Sequence, residues 1–438
     1  MINVILVSLL MTELVLVTRW LSGGFFSIVN VVMLYIVSLY VGGVSFYLDA
    51  GHLTYLFVFA MAVCYVIGAA MVRLLPLRQS GARREPVEFY SRFERPALIR
   101  ALVGFNLVAL GVAAYRFETF GIPLLTGDWY GTSGVWANTG LFNQLVQMTG
   151  SSATLISAAV WYALHQIYRR CWMLVAAALA FLLACMFLLL QGSKGAALEP
   201  GMVMLVAIFY ARRAVGLATL VAFGALAVAV AVVVGSFWMK FGATNDIAKL
   251  YFSRATSGAT ETLDYVLYGW SGPYQQGATF GAEVGRVHDQ LAGTPKKPLF
   301  NQVIANEMQN WPVDYYTPMA PELTLFGVGY VNFGTGGAVV AAVLLGMLIE
   351  GAHVRLTSVG RMAEWQFAVR AQFIQGLIHV AKGGTLMALE GTVIPLVLFL
   401  GIVLALYLLQ HLLRLSAPPR RVGDPIALPS LTSAQSRT

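Results

Sequence analysis

Charge is what this sequence has least of. Only 11% of its 438 residues are Asp, Glu, Lys or Arg, under half the roughly 25% of a soluble domain, so water is not the main solvent of this chain. Cysteine is scarce too. Cys64, Cys171 and Cys185 all fall within apolar segments, which argues against a disulfide framework or a thiolate metal site. The sequence has no GxxxxGK[ST] loop, no HExxH, no CxxC pair and no Asp-x-Asp. ATP-driven transport and metal-dependent transfer from a nucleotide sugar thereby lose their usual machinery. The first apolar run has no basic stretch before it and no small-residue cleavage pattern, so Ile2 to Trp20 reads as a retained helix and not a signal peptide.

What is present is apolar. Hydrophobic residues make up 58% of the chain, arranged in stretches of about 20, each long enough as a helix to cross a hydrocarbon core of roughly 30 Å. The expected fold is an all-α polytopic membrane protein of about eleven transmembrane helices. They run from Ile2 to Trp20, Ser27 to Leu48, Leu53 to Leu75, Ala97 to Phe117, Phe142 to His165, Trp172 to Gln191, Leu198 to Tyr210, Ala214 to Phe237, Leu323 to Ile349, Trp365 to Ala388 and Thr392 to Leu413.

The net charge of +8 sits mainly in short loops, where it orients the chain in the bilayer; no nucleic-acid partner is expected. Arg73, Arg78, Arg83, Arg84, Arg92, Arg95 and Arg100 crowd one linker. Arg169 with Arg170, Arg212 with Arg213, Arg355 with Arg361, and Arg414, Arg420 and Arg421 follow in every second loop. The positive-inside rule places these in the cytoplasm. Residues 1–237 then carry eight helices, 238–322 a large periplasmic loop, 323–413 three more helices, and 414–438 a cytoplasmic tail whose Pro, Ser and Arg content predicts disorder. Within the loop, Asn245 to Leu267 has helical periodicity.

Ionisable groups near membrane depth are functional candidates by default. Lys194 lies in Gly192-Ser193-Lys194-Gly195, just before Glu199 and Pro200 open the next helix. Its ammonium and the free amides of that helix suit one anion, and snorkelling to the interface suits it equally. Lys382, in His379-Val380-Ala381-Lys382-Gly383-Gly384, falls inside the tenth helix, with Arg370 earlier on it. Snorkelling accounts for Arg370 but less easily for Lys382. His379 reads as a packing residue before it reads as a ligand. In the large loop, Arg254, Arg286 and His288 offer phosphate recognition or solvated salt bridges. Glu322, directly before the ninth helix, is either a cap or a general base.

Several segments together resemble the Wzy-type oligosaccharide repeat-unit polymerases: Gly121-Ile122-Pro123-Leu124-Leu125, Gly192 to Gly195, Ser253-Arg254, and Pro321-Glu322-Leu323 leading into Phe326-Gly327-Val328-Gly329-Tyr330-Val331-Asn332-Phe333-Gly334 with Gly336-Gly337. The resemblance implies a glycosyltransferase of the C-type architecture in the bacterial inner membrane, with its active site facing the periplasm. It would extend O-antigen or another surface polysaccharide from undecaprenyl-pyrophosphate-linked oligosaccharides, without cofactor or metal, beside a flippase and a chain-length regulator. Glu322, Arg254, Lys194 and Lys382 would carry catalysis, with Arg286, His288, Arg116 and Tyr330 binding substrate. This chain departs from the family by holding lysine at position 194 and at Lys382-Gly383, where arginine is frequent; the charge survives and the bidentate fork does not. An O-antigen ligase or a lipid-oligosaccharide transporter shares parts of this pattern.

Overall fold

The computed structural model of the chain describes residues 2–41, 53–75, 85–93, 95–122, 141–190, 199–221, 224–225, 260–270, 272–282, 285, 300–308, 323–383, 396–397, 399–401, 404–405 and 408. By contacts the chain divides into two units, Met1–Phe399 and Leu400–Thr438. Only a few helical residues of the second are described.

The described helices stand where apolar runs put them, while the expected spans Ala214 to Phe237 and Thr392 to Leu413 lie mostly outside the described residues: α1 (Ile2–Ser22), α2 (Ile28–Val41), α3 (Thr54–Leu74), α4 (Arg95–Phe120), α5 (Leu141–Tyr168), α6 (Cys171–Leu190) and α7 (Glu199–Arg212), then α8 (Phe300–Met308) in the large loop, α9 (Thr324–Thr357) and α10 (Glu364–Ala381). Four are long and apolar enough to cross a membrane: α3, α4 over Arg95–Thr119, α6 over Cys171–Leu188, and α9. The chain is thus a largely helical, membrane-embedded protein. Its outward faces agree, since Val175, Leu179, Leu182 and Met186 of α6 all point away from the protein, a surface that suits lipid and not water.

Backbone contact, not bulky interdigitation, holds α3 against α9. A Cβ on Gly68 would lie 2.1 Å from the Val343 carbonyl oxygen, and one on Gly346 would lie 2.1 Å from that of Tyr65. Lipid gives helices no hydrophobic reason to associate, so such small-residue approaches supply the dispersion contact that does. The glycines of the segment 326–337 make a contact within one helix. Within α9 the backbone leaves helical geometry at Phe333 and Gly334, and Gly329 and Gly337 meet each other across that break. The break has a stated cause. The carbonyls of Val331 and Asn332 accept from the amides of Gln275 and Gln276, at 3.0 Å each, so the large loop takes over hydrogen bonds that a straight helix would use.

The basic loops meet at one end of the helices. Strand β1 (Glu88–Tyr90) pairs in parallel with β2 (Arg361–Ala363), and the Val87 amide donates to the Ala211 carbonyl at 2.7 Å. The Arg95 guanidinium lies 5.1 Å from the centre of the Tyr168 ring, and Arg213 Nη2 donates to the Thr357 carbonyl at 2.6 Å. This small sheet is a departure from an all-α expectation; its partners are so far apart in sequence that local patterning does not show it. α9 also runs beyond the expected Ile349, because the Arg73 guanidinium 2.8 Å away neutralises the buried Glu350 carboxylate and lets the helix continue.

Candidate functional site

At the other end of α7 and α10 a carboxylate is held under a lysine. Glu199 opens α7, where Pro200 fits because a first-turn residue has no helical acceptor for the missing N–H. α10 stops at Ala381, short of the expected Ala388, and Gly383 at φ +83° closes it. Lys382 is therefore a helix cap and not a mid-helix residue, which corrects its expected position. The cap aims Lys382 and, one turn earlier, His379 at α7. Lys382 Nζ is 2.9 Å from Glu199 Oε2, and His379 Nε2 contacts Glu199 Oε1. Gln375 Nε2 adds a long contact of 3.4 Å to the same carboxylate. Tyr35 of α2 presents its ring 5.2 Å from the Lys382 ammonium, a cation–π contact.

The cluster lies deep. Glu199 is 5% exposed, and Lys382 and His379 are 12% exposed. At 1.5 Å per residue Glu199 stands about 20 Å along α7 from Arg212. Burying two charges there costs desolvation that their attraction and added hydrogen bonds offset. Glu199 holds the Nε2 edge of His379. Its Nδ1 is buried and makes no hydrogen bond among the described residues, so the ring offers a lone pair or a proton on its other side.

A strained backbone adjoins the cluster. Thr324, the first residue of α9, has φ +53°, a conformation that β-branched residues rarely hold without support. The support is Gly383, where a Cβ would lie 2.7 Å from the Thr324 carbonyl carbon. The residue after Lys382 thus touches the residue two along from Glu322.

The large loop is anchored nearby in sequence but on different residues. Thr54 Oγ1 donates to Asp264 Oδ1 at 2.5 Å, and the Tyr268 hydroxyl accepts from the Leu53 amide at 2.8 Å. Tyr265 opens a π-helical turn (Tyr265–Gly269) and donates to Glu307 of α8 at 3.3 Å; burial, then the Glu307 charge, push its phenol up. Asn332 Nδ2 donates to Thr279 Oγ1 at 2.6 Å. Tyr330 sits in this region, edge-on to Phe57 and to Tyr274 with ring centres 5.6 and 6.1 Å away.

Of the residues expected to act, Lys382 and Tyr330 are placed, in different groups. Lys194, Arg254, Glu322, Arg286 and His288 lie outside the described residues, as does the side chain of Arg116, whose backbone belongs to α4. Of Asn245 to Leu267, the part described, from Thr260, is helical. Glu199 and Tyr35 were not among the expected site residues, and His379 was set aside as packing. A signal for them existed. Gln372, Gln375, His379 and Lys382 recur at helical spacing on an otherwise apolar helix, a polar stripe that must face protein. Among the described residues no three His, Cys, Asp or Glu side chains come together to hold a metal. No protein-family model, curated protein or solved structure matches this chain.

Proposed function

We propose that this protein is a glycosyltransferase that polymerises oligosaccharide repeat units carried on undecaprenyl pyrophosphate, in the bacterial inner membrane and at its periplasmic face. The observation that carries the reading is the Glu199–His379–Lys382 cluster. It lies at the end of α7 opposite the basic Arg212 and Arg213; Lys194 precedes Glu199 by five residues, and Glu322 precedes by two the Thr324 that Gly383 meets.

The chemistry asks for two things. The C1–O bond to pyrophosphate breaks as a bond forms from C1 to an acceptor hydroxyl, so negative charge grows on the leaving lipid pyrophosphate and a proton leaves the acceptor. Lys194 and Arg254 offset the growing charge, the electrostatic part of catalysis. His379 Nδ1 takes the proton, with Glu199 fixing the ring's tautomer through Nε2, and Glu322 orients the acceptor hydroxyl. Lys382, committed to Glu199, holds that carboxylate ionised instead of gripping phosphate, a different role from the one its charge alone suggests.

The test is an assay with purified protein and lipid-linked repeat units. Polymer is the expected product, and a single repeat moved to lipid A core instead would make the protein a ligase. Alanine at Lys194 or Arg254 is expected to abolish polymer while abundance and lipid-linked units stay normal; full polymer from both variants returns these residues to snorkelling and salt bridging. Arginine at Lys194 keeps activity because it keeps charge.

Orientation is checked separately. Reporters fused after Arg84 and after Arg421 are expected to read cytoplasmic, and one near Gly293 periplasmic. A cytoplasmic Gly293 sinks the periplasmic assignment and, with it, the eleven-helix topology.

One observation favours a second reading. Gln372 is fully buried, with both amide atoms lacking hydrogen-bond partners among the described residues, and Gln375 Oε1 lacks one as well. A polar path continuing into the membrane from His379 suits a transporter of lipid-linked oligosaccharide. Proteoliposomes separate the two, since a transporter moves units across the bilayer without joining them.

A further inference from the structure

The basic end of the helices holds guanidinium groups with no carboxylate paired to them among the described residues. α7 ends in a left-handed turn at Arg213, φ +61°, with its amide donating to the Phe209 carbonyl at 2.7 Å. The turn swings the Arg213 side chain back against the protein. Nη2 then reaches the Thr357 carbonyl at 2.6 Å. Nε and Nη1 are buried and make no hydrogen bond among the described residues, and the same holds for Nη1 of Arg370 on α10. α7 and α10 pack side by side, and the charges of Arg213 and Arg370 act on each other.

Three carboxylates described at this end are engaged elsewhere. Glu350 pairs with Arg73 and Glu88 with Arg361, at 2.8 and 3.0 Å. Glu364 accepts from the amides of Arg92 and Phe93. One turn before Arg370, Phe367 stacks on Tyr162, whose ring is 7% exposed and whose hydroxyl feels Arg212 and Arg169. Like charges on neighbouring elements, with buried donors that have no partner among the described residues, are costly. An anion bridging them removes both penalties, and a guanidinium fork fits phosphate oxygens best.

We propose that Arg213 and Arg370 form a phosphate-binding site between α7 and α10, taking the headgroup phosphate of an anionic lipid or free inorganic phosphate. The site stands apart from the Glu199 cluster and does not depend on the proposed activity. A headgroup reaches it from the membrane surface at which the basic loops gather, where each arginine adds about 1 kcal/mol of attraction for anionic lipid, a factor of about five in affinity.

The experiment follows thermal unfolding of the full chain in phosphatidylcholine bicelles while phosphatidylglycerol is titrated in, with inorganic phosphate titrated in a parallel series. For the wild type a saturating rise in Tm is expected. R213Q and R370Q each shift the half-saturation point upward about five-fold or more, whereas R361Q combined with E88Q, which removes an ion pair at the same end and keeps its net charge, leaves it unchanged. A response to phosphatidylglycerol alone identifies a lipid headgroup as the occupant, and an equal response to inorganic phosphate identifies the free anion; both support the site. The same half-saturation in wild type, R213Q and R370Q overturns it. Should R370Q fail to fold, R370K keeps the charge without the fork and is expected to bind, more weakly than wild type; unchanged binding in R370K together with R213Q overturns the site equally.

Discussion

Glutamine in place of His379 is expected to lower the rate of the proposed polymerisation about 10²- to 10⁴-fold, the usual loss when a general base is removed. Glutamine keeps a side-chain N–H that can still reach Glu199, so the carboxylate stays partnered and thermal unfolding changes little. Near-normal turnover in an equally stable His379→Gln protein would return the histidine to a packing role. Glu199→Gln is expected to fail on both counts, because deleting one partner of a buried ion pair leaves Lys382 uncompensated at a cost of about 3–5 kcal/mol. The informative variant combines Glu199→Gln with Lys382→Met. Both charges are gone, so stability recovers; the imidazole has lost its orienting carboxylate, so activity does not. Restored turnover in that double variant would assign the whole cluster to packing.

The second large effect falls on the glycine contact of α3 and α9. Leucine at Gly346 or at Gly68 places side-chain atoms where a Cβ alone already meets a backbone carbonyl at 2.1 Å. Backbone cannot rotate aside as a side chain does, so the helices must separate and lose contact along their length. Overpacking costs about 1–3 kcal/mol where a core relaxes locally, and more where it cannot. The expected result is a protein that expresses poorly or unfolds at markedly lower temperature in detergent. Gly351 supplies the contrast, since nothing lies within 4 Å of a Cβ there and alanine is the better helix former by about 1 kcal/mol. Gly351→Ala should leave the melting temperature unchanged or raise it. Equal losses at Gly346 and Gly351 would mean that helix backbone freedom, and not the contact with α3, is what the glycines provide.

Both experiments bear on different parts of what the chain encodes. Composition alone dictates that the solvent is lipid, because every backbone polar group in hydrocarbon must be satisfied within its own segment and only a helix of apolar residues does that. Helix positions are therefore local properties: α3 occupies Thr54–Leu74 where Leu53 to Leu75 was expected, and α6 occupies Cys171–Leu190 where Trp172 to Gln191 was expected. The gathering of basic loops at one end follows from the same alternation of spans and arginines. What the sequence left open is which polar group meets which. Glu199 and Lys382 are 183 residues apart, and Arg73 and Glu350 are 277 apart, so no periodicity within a helix joins them. Helix packing chose those partners. It gave Lys382, expected among the catalytic residues, Glu199 as its counter-ion, and it broke α9 at Phe333 and Gly334 because loop amides claim the carbonyls before the break. A charge read from sequence has a sign and a depth. Its partner, and so its chemistry, is fixed only when distant helices come within the few ångströms over which an ion pair or hydrogen bond acts.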